Sequence, residues 1–172
     1  MKTPKELQTR FPYMFGGKHL GIGIAKGWFQ TFATLCQVID ALLDEDKRGF
    51  HWIQVKEKFG AARFYWELGA YRGPFRVDIQ TPQGVLSYEQ YPPCQERDEY
   101  TVKLIKQIST LVQTAETGTR TFCAACGEPG NLDNTDRCLL TLCTPHAAQR
   151  KKSPHPDLDL WFEPEDDFSW LA

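Results

Sequence analysis

Between Gly27 and Glu45 the apolar residues Trp28, Phe32, Leu35, Cys36, Ile39, Leu42 and Leu43 recur at spacings of three, four and seven. That period gathers them on one stripe and predicts an amphipathic helix. Cys36 sits inside the stripe and reads as a small buried hydrophobe. A second long helix is expected from about residue 95 to residue 117, with Leu104, Ile108, Leu111, Val112 and Ala115 on one face and Gly118 as its stop. A short helix is expected over Lys5 to Arg10, capped by Thr3 with Pro4 in the first turn. Between the two long helices the period drops to two. HWIQVKEKFGAARFYWEL alternates about a turn at Gly60, with Ile53 and Val55 sharing a face, as do Ala62, Phe64 and Trp66. PFRVDIQTPQGVLSYEQY alternates through Phe75, Val77 and Ile79 into a Thr81-Pro82-Gln83-Gly84 turn. Two hairpins give four antiparallel strands, and Tyr91-Pro92-Pro93-Cys94 ends the pattern.

The segment KHLGIGIAKGW, ahead of the first long helix, is rich in glycine but does not match a phosphate-binding loop. Its order is not GxGxxG, and Lys26 precedes Gly27 where a P-loop has Gly-Lys-Ser/Thr. It reads as a flexible approach to the helix.

Chemistry concentrates after residue 118. Cys123-x2-Cys126, sixteen intervening residues and Cys143-x2-His146 match the spacing of a tetrahedral zinc site. A Cys-x-x-Cys turn aims both sulfurs at one point, and the second pair closes the tetrahedron from the other side. Turn formers from Asn131 to Asp136 and strand-like residues from Arg137 to Leu142 predict a hairpin between the pairs. Pro145 suits the first turn of a helix carrying His146. This order resembles a treble-clef zinc finger. Cys138 would point to the opposite face of the strand leading to Cys143 and is not counted as a ligand.

Two other readings of the cysteines stay open: a disulfide framework, which needs an oxidising compartment, and a redox Cys-x-x-Cys, which needs no second pair with a histidine. Three cysteines and one histidine fill a coordination shell, so the expected role of one zinc is structural. The zinc deaminase signature is missing, because His51 is followed by Trp52-Ile53 and Pro93-Cys94 by Gln95-Glu96-Arg97. His19, His51 and His155 are the histidines left for a metal-dependent nuclease, and they follow no helical metal-binding repeat.

Charge adds a boundary. All 20 Lys and Arg and 16 of the 22 Asp and Glu fall in residues 1–156, whereas residues 157–172 hold six acids and no base. The expected organisation is an α+β body over 1–117, a zinc-finger module over 118–153 and an acidic aromatic tail over 154–172. Two basic sets are candidates for contact with a partner: Lys56, Lys58 and Arg63 beside Tyr65, and Arg150, Lys151 and Lys152. In the tail, Trp161, Phe162 and Trp170 are candidate anchors, either on the body or in a partner groove. No run of apolar residues reaches the length of a membrane span, and MKTPKELQTRFPYMF lacks the centre of a secretory signal. A cytoplasmic protein is expected.

VKEKFGAARFYWEL, GWFQTFATLCQVI and the C-terminal CxxCGxPG with TLCxxH together resemble a group of small uncharacterised zinc-finger-containing proteins of tailed bacteriophages and prophages. The resemblance covers about residues 10–150. It implies zinc at Cys123, Cys126, Cys143 and His146, and a setting in the cytoplasm of a bacterial host. That setting, taken with the closed coordination shell, gives the expectation of a non-enzymatic accessory protein that binds and inhibits a host protein such as a defence effector. A nucleic-acid-binding accessory factor is the alternative, and a metal-dependent nuclease a weaker one.

Overall fold

The computed structural model describes residues 1–18, 21–43, 45, 47–81, 84–92, 98–135, 138–152 and 158–163. The turn at Pro82-Gln83, residues 95–97 of the expected second long helix, Cys94, His19, His155 and Trp170 lie outside these residues. The protein is a mixed α and β structure. Among the described residues no helix is long and apolar enough to cross a membrane.

Helix α1 runs Pro4–Arg10, with the Thr3 hydroxyl accepting from the Glu6 N–H at 3.2 Å. Helix α2 runs Phe29–Leu43 and buries Phe29, Phe32, Ala33, Leu35, Cys36, Ile39 and Leu43. The helical period in the sequence is therefore the core face. Strands β2 (Phe50–Lys58) and β3 (Ala61–Leu68) form the first hairpin, through a two-residue turn with Phe59 and Gly60 both at positive φ. Its inner face packs aromatics on α2: the Phe32 ring lies 5.3 Å from Phe64, stacked, and 5.2 Å from Trp52. Such ring pairs contribute about 0.5–1.5 kcal/mol each beyond their buried area.

Two details of this hairpin depart from strict alternation. The register steps from Trp52↔Trp66 to Gln54↔Tyr65, which leaves Ile53 as an extra residue. A bulge of this kind inverts the pattern beyond it, so Trp52 and Val55 face the core and Ile53 turns outward. The glycine-rich lead-in is also more ordered than its composition suggests. Strand β1 (Gly21–Ile22) pairs in parallel with β2, and the Gly23 N–H continues the ladder to the Val55 carbonyl at 2.8 Å.

The four strands expected in one antiparallel sheet are divided. The main sheet has the order β1-β2-β3-β4, where β4 is Tyr71–Arg72 and β1 is parallel. Strands β5 (Phe75–Thr81) and β6 (Gly84–Gln90) make a separate two-stranded sheet. The reason lies along the part of the β3 edge that β4 leaves unpaired. Helix α3 (Glu99–Thr119) lies along it, and its side chains occupy the ladder positions: the Ala62 N–H donates to Thr119 Oγ1 at 2.9 Å and the Phe64 N–H to Glu116 Oε1 at 2.8 Å. A buried edge needs its donors satisfied, and once a helix has done so no strand can. Asp98 caps α3 by accepting from the Thr101 N–H at 2.8 Å, and the helix passes through Gly118 to end at Thr119.

Candidate metal centre

Residues 120–135 and 138–152 supply a knuckle, a pair of strands and a helix. Strands β7 (Asn131–Asp133) and β8 (Leu140–Leu142) pair antiparallel, and helix α4 spans Thr144–Lys152. Gly127 takes φ +81 where the knuckle turns, and the Gly127 N–H closes the turn on the Cys123 carbonyl at 2.9 Å. Cys143 precedes α4, and His146 lies in its first turn.

The donor atoms of Cys123, Cys126, Cys143 and His146 lie within 4.8 Å of one another, so the four can hold a metal ion. Cys126 Sγ and Cys143 Sγ are 3.8 Å apart. His146 Nδ1 is 3.5 Å from Cys123 Sγ and 3.0 Å from Cys143 Sγ. A tetrahedral ion with bonds of about 2.0–2.3 Å separates its ligands by about 3.3–3.8 Å; the Cys126–Cys143 and Cys123–His146 distances lie in that range, and the Cys143–His146 distance is shorter. His146 presents Nδ1. Burial acts to raise the Cys123 thiol, yet N–H groups of Cys143, Cys126 and Ala125 aimed at its sulfur outweigh it and lower the group. Cys126 moves the other way, pushed up to about 11 by burial and by the neighbouring thiols. Three sulfurs at one point repel as thiolates, and a bound cation removes that conflict. Among the described residues this is the one cluster of three or more metal-ligating side chains. Cys138 is exposed and outside it, and Cys36 is buried in the core, where burial raises its thiol well above the usual range.

The centre is fastened to the body at three places. The Gly27 N–H donates to the Ala124 carbonyl at 2.8 Å, the Trp28 indole N–H to the Phe122 carbonyl at 2.7 Å, and the Thr141 hydroxyl to the Gly60 carbonyl at 2.7 Å. Gly27 has no room for a side chain, since a Cβ there would lie 2.0 Å from the Cys123 carbonyl oxygen. The glycine expected to confer flexibility instead permits a close approach of backbone to backbone.

The partner-contact candidates separate by burial. Arg63 is 1% exposed, with Nε 3.3 Å from the Asp78 carboxylate and Nη1 donating to the Ala62 carbonyl. Arg150 is also buried, and it joins the hairpin ends by donating to Asp133 at 3.0 Å and to the Thr135 and Cys138 carbonyls at 2.8 and 2.7 Å. Both arginines are structural ties, and neither is a free surface cation. Lys58 lies 3.5 Å from Asp78. Lys56 stands over the Tyr65 ring at 5.2 Å, and the two help to line a cleft of about 490 Å³ beside α3. Lys151 and Lys152 are exposed.

The described part of the tail docks on the body. The Leu160 carbonyl accepts from the Lys26 N–H at 2.8 Å, Asp159 pairs with Lys26, and the Phe162 ring meets Phe29 edge-on at 5.1 Å. Trp161 stays half exposed. A signal for this docking was present in the sequence, as aromatics alternating with acids, but its target on Lys26 and Phe29 was not. Comparison with protein families, with curated proteins and with solved structures finds no match to this chain.

Proposed function

We propose that the metal is one structural zinc ion in a treble-clef-like finger, and that the protein acts by binding rather than by catalysis. Convergence of three sulfurs and one imidazole within 4.8 Å carries this reading, because four protein ligands leave no coordination position for a substrate or a reactive water. Soft thiolate donors favour zinc over magnesium or calcium. With the centre serving as scaffold, function falls to the outer surface. In line with the phage resemblance, the reading is an accessory protein that occupies and inhibits a host protein such as a defence effector. Trp161, Lys56, Tyr65, Lys151 and Lys152 are the residues placed to make contact.

The nucleic-acid alternative rests on the two basic sets, and each has lost its arginine to an internal tie. His51, the described candidate for a nuclease, has Nε2 3.3 Å from Glu67 and packs close to Gly17.

Affinity capture from a bacterial lysate on the immobilised full chain tests the binding reading. It predicts one host protein retained in near-stoichiometric amount and depleted when the bait carries Trp161→Ala or Lys56→Glu. Retention of DNA or RNA that falls steeply with salt would move the assignment to the alternative. An empty capture would contradict both.

A further inference from the structure

The β5–β6 hairpin is built inside out. Its register sets Phe75 against Gln90, Val77 against Tyr88 and Ile79 against Leu86 on one face, and Arg76 against Glu89 and Asp78 against Ser87 on the other. Side chains alternate with a period of two, so whatever fixes one face fixes both. Here the polar face is fixed. The Asp78 side chain is 0% exposed and receives Arg76 Nε at 3.0 Å and Arg63 Nε at 3.3 Å, while Arg76 also reaches Glu89 and Glu116 of α3. Turning the hairpin over would bury its apolar side chains but leave Arg63 and Glu116 as buried ions without their charged partners.

The apolar face is consequently turned to solvent. Exposure runs from 38% at Val77 to 65% at Phe75, with Ile79, Leu86 and Tyr88 between. Those five side chains present about 500 Å² of contiguous apolar surface, the upper end for a monomer's largest patch. No charged residue lies on the face.

We propose that this face is the contact between two copies of the chain, hairpin packed on hairpin about a two-fold axis. An isologous contact sets the patch against a two-fold copy of itself, and a face that carries no charge meets its copy without burying an unpaired ion. A partner attracted by charge would need complementary ions, and the hairpin's ions are locked on the opposite side. Two such patches together bury about 1,000 Å², near the lower limit for a specific interface. An interface of that size suits a reversible dimer rather than an obligate one. Phe75 and Tyr88 supply rings for offset or edge-on contact across the axis.

Sedimentation of the full chain from about 1 to 100 µM tests this. The expected mass rises from 19.7 kDa towards twice that value with concentration. Leu86→Lys and, separately, Ile79→Lys move the monomer–dimer midpoint to about a hundredfold higher concentration, with the melting temperature of the dilute, monomeric protein unchanged. Leu132→Lys, equally exposed but on β7, dimerises like the wild type. Wild-type protein that stays monomeric throughout, or lysine variants that associate as well as the wild type, would overturn the proposal.

Discussion

Asp78 shows how much one buried carboxylate can organise. It joins Arg63 of β3 and Arg76 of its own strand, and the Ser87 hydroxyl donates to it at 2.6 Å. Burial raises its pKa, but the Ser87 hydrogen bond and the two arginines more than offset this and hold the group well below the usual carboxylate range. A carboxyl lowered in the folded state stabilises above its unfolded pKa, about 3.9, and loses that contribution as pH falls through the folded value. Asp78→Asn should therefore cost about 3–5 kcal/mol at neutral pH, since it leaves the buried Arg63 guanidinium without its carboxylate. The gap in melting temperature between wild type and variant should then narrow below about pH 4. Glu116 in the same network is raised by burial, against the Phe64 N–H and Arg76, so protonating it works in the opposite sense. Comparing wild type with Asp78→Asn isolates the aspartate. A gap that stays constant into strong acid would refute the assignment.

Among the elements, α3 decides the topology. Thr119 is fully buried, and its hydroxyl accepts from the Ala62 N–H while donating to the Glu116 carbonyl at 2.7 Å. Thr119→Val keeps the shape and removes the acceptor, so urea unfolding should show a loss of about 1–3 kcal/mol from the orphaned strand donor. An unchanged midpoint would show that water satisfies the edge instead. The helical faces of α2 and α3 and the β2–β3 hairpin were legible in the sequence because a period of 3.6 or 2 is a local property. The division of the sheet was not, because it depends on two side chains of α3 reaching β3 more than fifty residues away. The extra residue at Ile53 was hidden for a related reason: a bulge is defined by the partner strand. The same limit applied to Arg63 and Arg150, which look like surface cations until their acceptors are known.

At the scale of the whole molecule, the metal centre and the body share packing. Ala124, inside the knuckle, belongs to the main hydrophobic cluster, and Leu160 of the docked tail touches both clusters. The ligand spacing Cys-x2-Cys and Cys-x2-His was readable because it too is local, whereas the three hydrogen bonds that fasten the centre to Gly27, Trp28 and Gly60 were not. Loss of the ion should accordingly lower the stability of the entire chain. The most direct measurement is elemental analysis of the purified protein beside its Cys126→Ser variant, with a thermal melt of each. The account predicts about one zinc per wild-type chain, and in the variant a loss of both zinc and thermal stability. A wild-type protein that is folded, cooperative in its melt and stoichiometrically free of metal would contradict it.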